Sequence, residues 1–168
     1  MCIRDSDTTG GTTGGDEVSF TVGSYAVDSQ RAYATDACEG ESESSEPEGN
    51  MVFTFEEGGV FGAELSACVV GEELGDAQTE EACEADGGFW FTDSVAGTWS
   101  KDGTSIDITV QQEDERGNPE TDTLACTVQS TSAITCYGVE TEETVDLEGN
   151  VIESIDRCLE LSLSLVSN

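Results

Sequence analysis

A chain of 168 residues with 37 acidic and 5 basic side chains carries a formal net charge of −32 and contains no histidine. That balance excludes an electrostatic grip on nucleic acid or on an anionic membrane surface, and the missing histidine removes Ser-His and Cys-His relays and mixed Cys/His zinc sites. The length fits one domain, and 36% hydrophobic residues supply a modest core under a surface of the kind carried by salt-adapted secreted proteins.

Residues 1–6, Met-Cys-Ile-Arg-Asp-Ser, resemble the translation of a sequencing adapter joined to a truncated reading frame, a scar to be set aside before the fold is considered. Setting it aside removes Cys2 and turns 7 cysteines into an even set: Cys38, Cys68, Cys83, Cys126, Cys136 and Cys158. Otherwise Cys2 is a free or intermolecular thiol. The same reading expects any signal sequence to have been lost upstream. Residues 7–16, Asp-Thr-Thr-Gly-Gly-Thr-Thr-Gly-Gly-Asp, are too polar and too flexible to pack and read as a linker. The segment is similar to the spacer that follows the lipidated cysteine of bacterial lipoproteins, which implies a lipid anchor upstream; a plain secreted linker is the alternative. Residues 17–168 then form a single all-β domain.

From Val18 the pattern has period two. Val18, Phe20 and Val22 alternate with Ser19 and Thr21, which predicts a first strand. Met51, Phe53 and Phe55, the turn Glu57-Gly58-Gly59, and Phe61, Ala63 and Leu65 predict a hairpin. A second hairpin turns at Lys101-Asp102-Gly103, with Ile106, Ile108 and Val110 on one face. A third pairs Cys126 with Cys136, a register that also pairs Val128 with Ile134 and Leu124 with Gly138, so that all six share a face. Leu159, Leu161, Leu163 and Leu165 alternate with polar residues in the last strand. Residues 39–50, 71–88, 112–120 and 140–155 read as acidic loops. The single helical turn is expected at 76–85, with Thr79 as N-cap.

About eight strands at even spacing predict an antiparallel up-and-down meander that closes into a barrel or folds as a β-sandwich. Gly97-Thr98-Trp99-Ser100, followed by Lys101-Asp102-Gly103 and a strand, with Gly23-Ser24-Tyr25 as a similar entry near the N-terminus, resembles the G-x-W strand start of lipocalin-like domains in bacterial secreted proteins and lipoproteins. The resemblance covers most of residues 18–166 in pattern. It implies a ligand-holding barrel in which Trp99 and Gly97 are structural and Arg157, just before the last strand, stacks on the Trp99 indole. The family's Thr-Asp-Tyr loop is absent from this sequence.

No C-x-x-C spacing occurs, so disulfides in an oxidising compartment account for the cysteines. The hairpin register favours Cys126 with Cys136, Cys68 and Cys83 bracket an acidic loop with no apolar pattern of its own, and Cys38 is left with Cys158, neighbours if the barrel closes. Six cysteines allow 15 connectivities, of which this is one.

Carboxylates are too numerous for any pair to stand out as catalytic, and neither a nucleophile elbow nor a phosphate-cradling loop occurs, so the chain reads as a non-enzyme. Asp146, Glu148, Asn150 and Glu153, and Glu113, Asp114, Glu115 and Asn118, place oxygen ligands in short loops without the EF-hand spacing, leaving calcium as the one cofactor alternative and no metal ligand assigned. Phe89, Trp90 and Phe91 are consecutive, so at least one ring faces away from a one-sided core. Trp90 and Phe91 are therefore the candidate contacts for a small apolar or carbohydrate ligand, including a surface glycan. The sequence reading is an extracellular or periplasmic module that binds a small ligand without catalysis. Its rivals are a structural or adhesive surface domain with no cavity and, more remotely, a carboxylate hydrolase.

Overall fold

The computed structural model describes residues 18–166 except 46, 48, 72, 76, 114–118 and 146–150. In chain order the elements are β1 (Gly23–Tyr33), β2 (Ser42–Ser45), β3 (Asn50–Glu56), β4 (Val60–Val70), β5 (Glu73–Gly75), α1 (Glu80–Ala85), β6 (Phe89–Asp102), β7 (Ser105–Glu113), β8 (Pro119–Ser130), β9 (Ala133–Val145) and β10 (Val151–Leu165).

The fold is an all-β, closed antiparallel barrel of eight strands, stapled by disulfides. The up-and-down order β1-β3-β4-β6-β7-β8-β9-β10 returns on itself where β1 pairs β10, from Tyr25 opposite Leu165 to Ala32 opposite Leu159. Closure removes the free edges that a sandwich would leave. Short β2 and β5 are appended to β1 and β4.

The alternation seen in the sequence becomes the inside and outside of this barrel. Phe53, Phe55, Phe61, Ile106, Ile108, Val110, Val128, Ile134, Leu161 and Leu163 are buried in one core cluster, which also takes in Cys126 and Cys136. The third hairpin has Cys126 opposite Cys136 and Val128 opposite Ile134. In the β3–β4 turn, Gly58 and Gly59 sit at φ of 86° and 83°, the left-handed region that disfavours residues with a β-carbon. At Gly97 the need is space: a β-carbon there would lie 2.2 Å from the Thr109 carbonyl oxygen of β7.

Three expectations are corrected. Residues 18–22 are not a strand although they alternate; Phe20 instead packs against the core, and the first strand begins at Gly23. Much of the acidic segment 140–155 is strand, because β9 and β10 pair from Ser164 opposite Ala133 out to Val151 opposite Val145. Backbone pairing there needs no apolar alternation. The helix is shorter than 76–85, running Glu80–Ala85, while Thr79 is its N-cap as expected, the hydroxyl accepting the Ala82 N–H at 3.3 Å.

The two ends of the barrel differ. At one, Phe20 stacks on Tyr25 with ring centroids 5.8 Å apart and meets Phe55 and Trp99 edge-on, each at 5.3 Å. The Trp99 indole N–H donates to the Glu56 carbonyl at 3.0 Å, and the Tyr25 hydroxyl donates to the Thr21 carbonyl at 2.7 Å. This end is closed. At the other, neighbouring ladders stop short: β6 and β7 pair only as far as Gly97 opposite Val110, and β8 and β9 only as far as Ala125 opposite Tyr137. Beyond those points the wall continues as separate ribbons, β4 with β6, β7 with β8, and β9 with β10.

Candidate functional site

Between those ribbons lies a cavity of about 530 Å³. Its position follows from side-chain size along each strand. Moving toward the open end, β3 offers Phe55, Phe53 and then Met51; β4 offers Phe61 and then the small Ala63; β9 offers Cys136 and then Gly138. The large rings close the bottom, and the small residues leave the space above them unfilled. Phe53, Phe61 and Val110 form the floor, and Met51, Leu65, Val95, Leu124 and Leu159 form the walls. Gly138 matters for its missing side chain: a β-carbon would lie 2.7 Å from a Leu124 methyl, so glycine lets Leu124 lie against β9.

At the rim the inner alternation turns polar. Asp93 continues Val95 on β6, Gln112 continues Val110 on β7, and Asp122 continues Leu124 on β8. The Gln112 side-chain amide donates to an Asp122 carboxylate oxygen, and Asp93 accepts the Ser94 backbone N–H at 2.8 Å. Asp93 and Asp122 were missed from sequence because carboxylates are everywhere in it, and Gln112 because nothing local marks it. Their signal was position: each extends an apolar inner stripe by one step.

The aromatic expectations require correction. Trp90 is opposite Cys68, on the outer face that carries the Cys68–Cys83 disulfide against α1, so it points away from the cavity. Phe91 has inward parity, but Asp93 separates it from the cavity walls; it is 40% exposed, and Phe89 at the strand tip is 67% exposed. Neither Trp90 nor Phe91 lines the cavity. Trp99 meets Phe20 and Phe55 at the closed end, whereas Arg157, opposite Glu140, borders a separate hollow with Ala32, Tyr33 and Glu43 at the open end. The expected stack of Arg157 on Trp99 is therefore not formed.

The structure joins Cys38 to Cys158, Cys68 to Cys83 and Cys126 to Cys136. The last bridge lies inside the barrel, one inward position below Leu124 and Gly138. The first holds the loop after β1 against β10, where the Cys158 N–H also donates to the Thr35 carbonyl at 2.9 Å. Among the described residues no group of His, Cys, Asp or Glu is arranged to hold a metal ion. The acidic stretches 114–118 and 146–150, considered for calcium, lie outside the described residues.

On the outer wall Arg31, Tyr33, Tyr137 and Glu160 form a polar cluster. Tyr33 donates to Glu160 at 2.9 Å, and Arg31 approaches the other Glu160 oxygen at 3.4 Å. The hydrogen bond with Tyr33 and the charge of Glu160 hold the Arg31 guanidinium above its ordinary pKa, while burial and then the Glu160 charge raise the Tyr137 phenol. This cluster ties β1 to β10 at the seam that closes the barrel. No described helix is long and apolar enough to cross a membrane.

Comparison with known protein families, curated proteins and solved structures yields no match.

Proposed function

We propose that this chain is a non-catalytic, lipocalin-like binding module that holds one small, mainly apolar ligand in the open end of its barrel, outside the cytoplasm. The cavity carries the reading. Ligand pockets span about 300–1,000 Å³ and combine apolar walls with a few convergent polar groups, and this one measures about 530 Å³, with apolar floor and walls beneath Asp93, Gln112 and Asp122. Such a void counts against a purely structural or adhesive domain, whose barrel would gain stability by filling it. Apolar walls also favour an apolar ligand over a glycan. No described charged side chain is buried, and burial is the setting that tunes an acid for proton transfer, which supports binding over hydrolysis. Three disulfides favour an extracellular or periplasmic location, with a lipid tether upstream as the means of anchoring.

The test is a titration with the neutral fluorophore N-phenylnaphthylamine. Saturable, one-to-one enhancement that unlabelled apolar compounds reverse is the expected result. Absence of saturable binding, with the folded state verified by near-ultraviolet circular dichroism, overturns the proposal.

A further inference from the structure

We infer that the ligand is a primary ammonium amphiphile, with its apolar body in the barrel and its charged head at the rim. The inference rests on the reading of the cavity as a ligand site and adds the chemistry of the head group. Asp93, Gln112 and Asp122 are on the inner face at the mouth of the chamber, Gln112 and Asp122 on the β7–β8 ribbon and Asp93 on the neighbouring β4–β6 ribbon, with Glu64 a further carboxylate among the lining residues. Gln112 turns its amide N–H toward Asp122, which fixes that carboxylate and leaves the Gln112 carbonyl to accept. Asp93 accepts the Ser94 backbone N–H through one oxygen.

The rim is therefore acidic and rich in acceptors: Asp93, Asp122 and Glu64 are carboxylates among the cavity-lining residues, and Gln112 adds a carbonyl. A primary ammonium has three N–H donors and one positive charge, so it can donate to carboxylate and carbonyl oxygens and matches the sign of the rim. A quaternary ammonium has the charge without the donors, an alcohol has one donor without the charge, and a carboxylate meets like charge. No described basic residue lines this cavity; Arg157 borders the neighbouring hollow. The net charge of −32 adds a long-range bias in the same direction, drawing cations in and keeping anions away.

The experiment is displacement of bound N-phenylnaphthylamine by amphiphiles of one chain length: decylamine, decyltrimethylammonium, decanol and decanoate. Decylamine is expected to compete about tenfold better than decanol, the factor that a single charge-assisted contact supplies, with decyltrimethylammonium between them and decanoate weakest. Because any acidic protein attracts cations, two charge-matched variants locate the effect. Asp93→Asn with Asp122→Asn removes two rim charges and should abolish most of the amine's advantage. Glu81→Gln with Asp102→Asn removes two exposed charges elsewhere and should preserve it. An amine no better than decanol, or equal losses in the two double variants, overturns the inference while leaving the cavity reading standing. Failure of the neutral fluorophore itself to bind sinks both.

Discussion

The closed and open ends of this barrel are built from the same alternating strands and held together by different means. At the closed end Phe20, Tyr25, Phe55 and Trp99 interlock, and Phe55 is only 1% exposed. Dispersion and burial suffice there, since large aromatics bring the most apolar area per residue. At the open end the inner residues shrink or turn polar, the ladders separate into ribbons, and covalent bridges take over. Cys38–Cys158 and Cys68–Cys83 clamp the outer wall near the mouth, and Cys126–Cys136 spans β8 and β9 just beneath the cavity. A chain with limited apolar content can keep an empty chamber when disulfides hold the walls that packing does not.

Breaking the covalent clamp should have the largest effect. Cys38 and Cys158 are 120 residues apart, so replacing both by serine should cost about 4–5 kcal/mol on the loop-entropy account, against about 3 kcal/mol for Cys68 and Cys83, which are 15 apart. Urea unfolding of the two double variants checks the order. Hydrogen exchange should rise first at the open ends of β9 and β10 and leave the Phe55 region protected.

Apolar truncation should show the opposite asymmetry. Phe55→Ala should cost about 3–5 kcal/mol. Leu65→Ala, on a partly buried cavity wall, should cost about 1 kcal/mol, since it enlarges an existing void and loses little packing. Equal losses in thermal unfolding would erase the distinction between the ends. A smaller effect, spread over the whole surface, is expected from salt: screening of −32 charges should raise the melting temperature as ionic strength increases from low values. Sodium and calcium chloride should act alike at matched ionic strength.

Alkaline pH should have the smallest effect. Burial raises the phenols of Tyr25, at the closed end, and Tyr137, on the outer wall, above their ordinary value of 10.0. Above pH 10 the unfolded chain loses protons that the folded chain keeps, so stability is full below that pH and falls as pH climbs through the raised folded values. Tyr25→Phe should flatten part of this fall in urea titrations between about pH 9 and 11.

What the sequence made legible follows the same division. The β3–β4 turn, the Cys126–Cys136 register and the leucines of β10 could be read because a buried face forces strict alternation, and one pairing satisfied all of it. The β9–β10 ribbon was hidden because its residues answer to backbone pairing and solvent, which leave no apolar stripe. Residues 18–22 misled for the converse reason: Val18 and Phe20 are apolar because they pack against the core without pairing as a strand, and their spacing imitates one. The candidate site was the least legible part. Its walls were identifiable as core residues, but nothing local says that Ala63 and Gly138 leave space, and Asp93 and Asp122 do not stand out among 37 acids until the barrel sets their direction.

The central claim, that the unfilled open end is the binding site, is tested most directly by filling it. Ala63→Trp places an indole in the chamber without disturbing the closed-end rings. If the claim holds, the variant keeps the native near-ultraviolet signature of those rings and loses saturable N-phenylnaphthylamine binding by at least about tenfold. A folded Ala63→Trp variant that binds the fluorophore as tightly as the parent chain would contradict it.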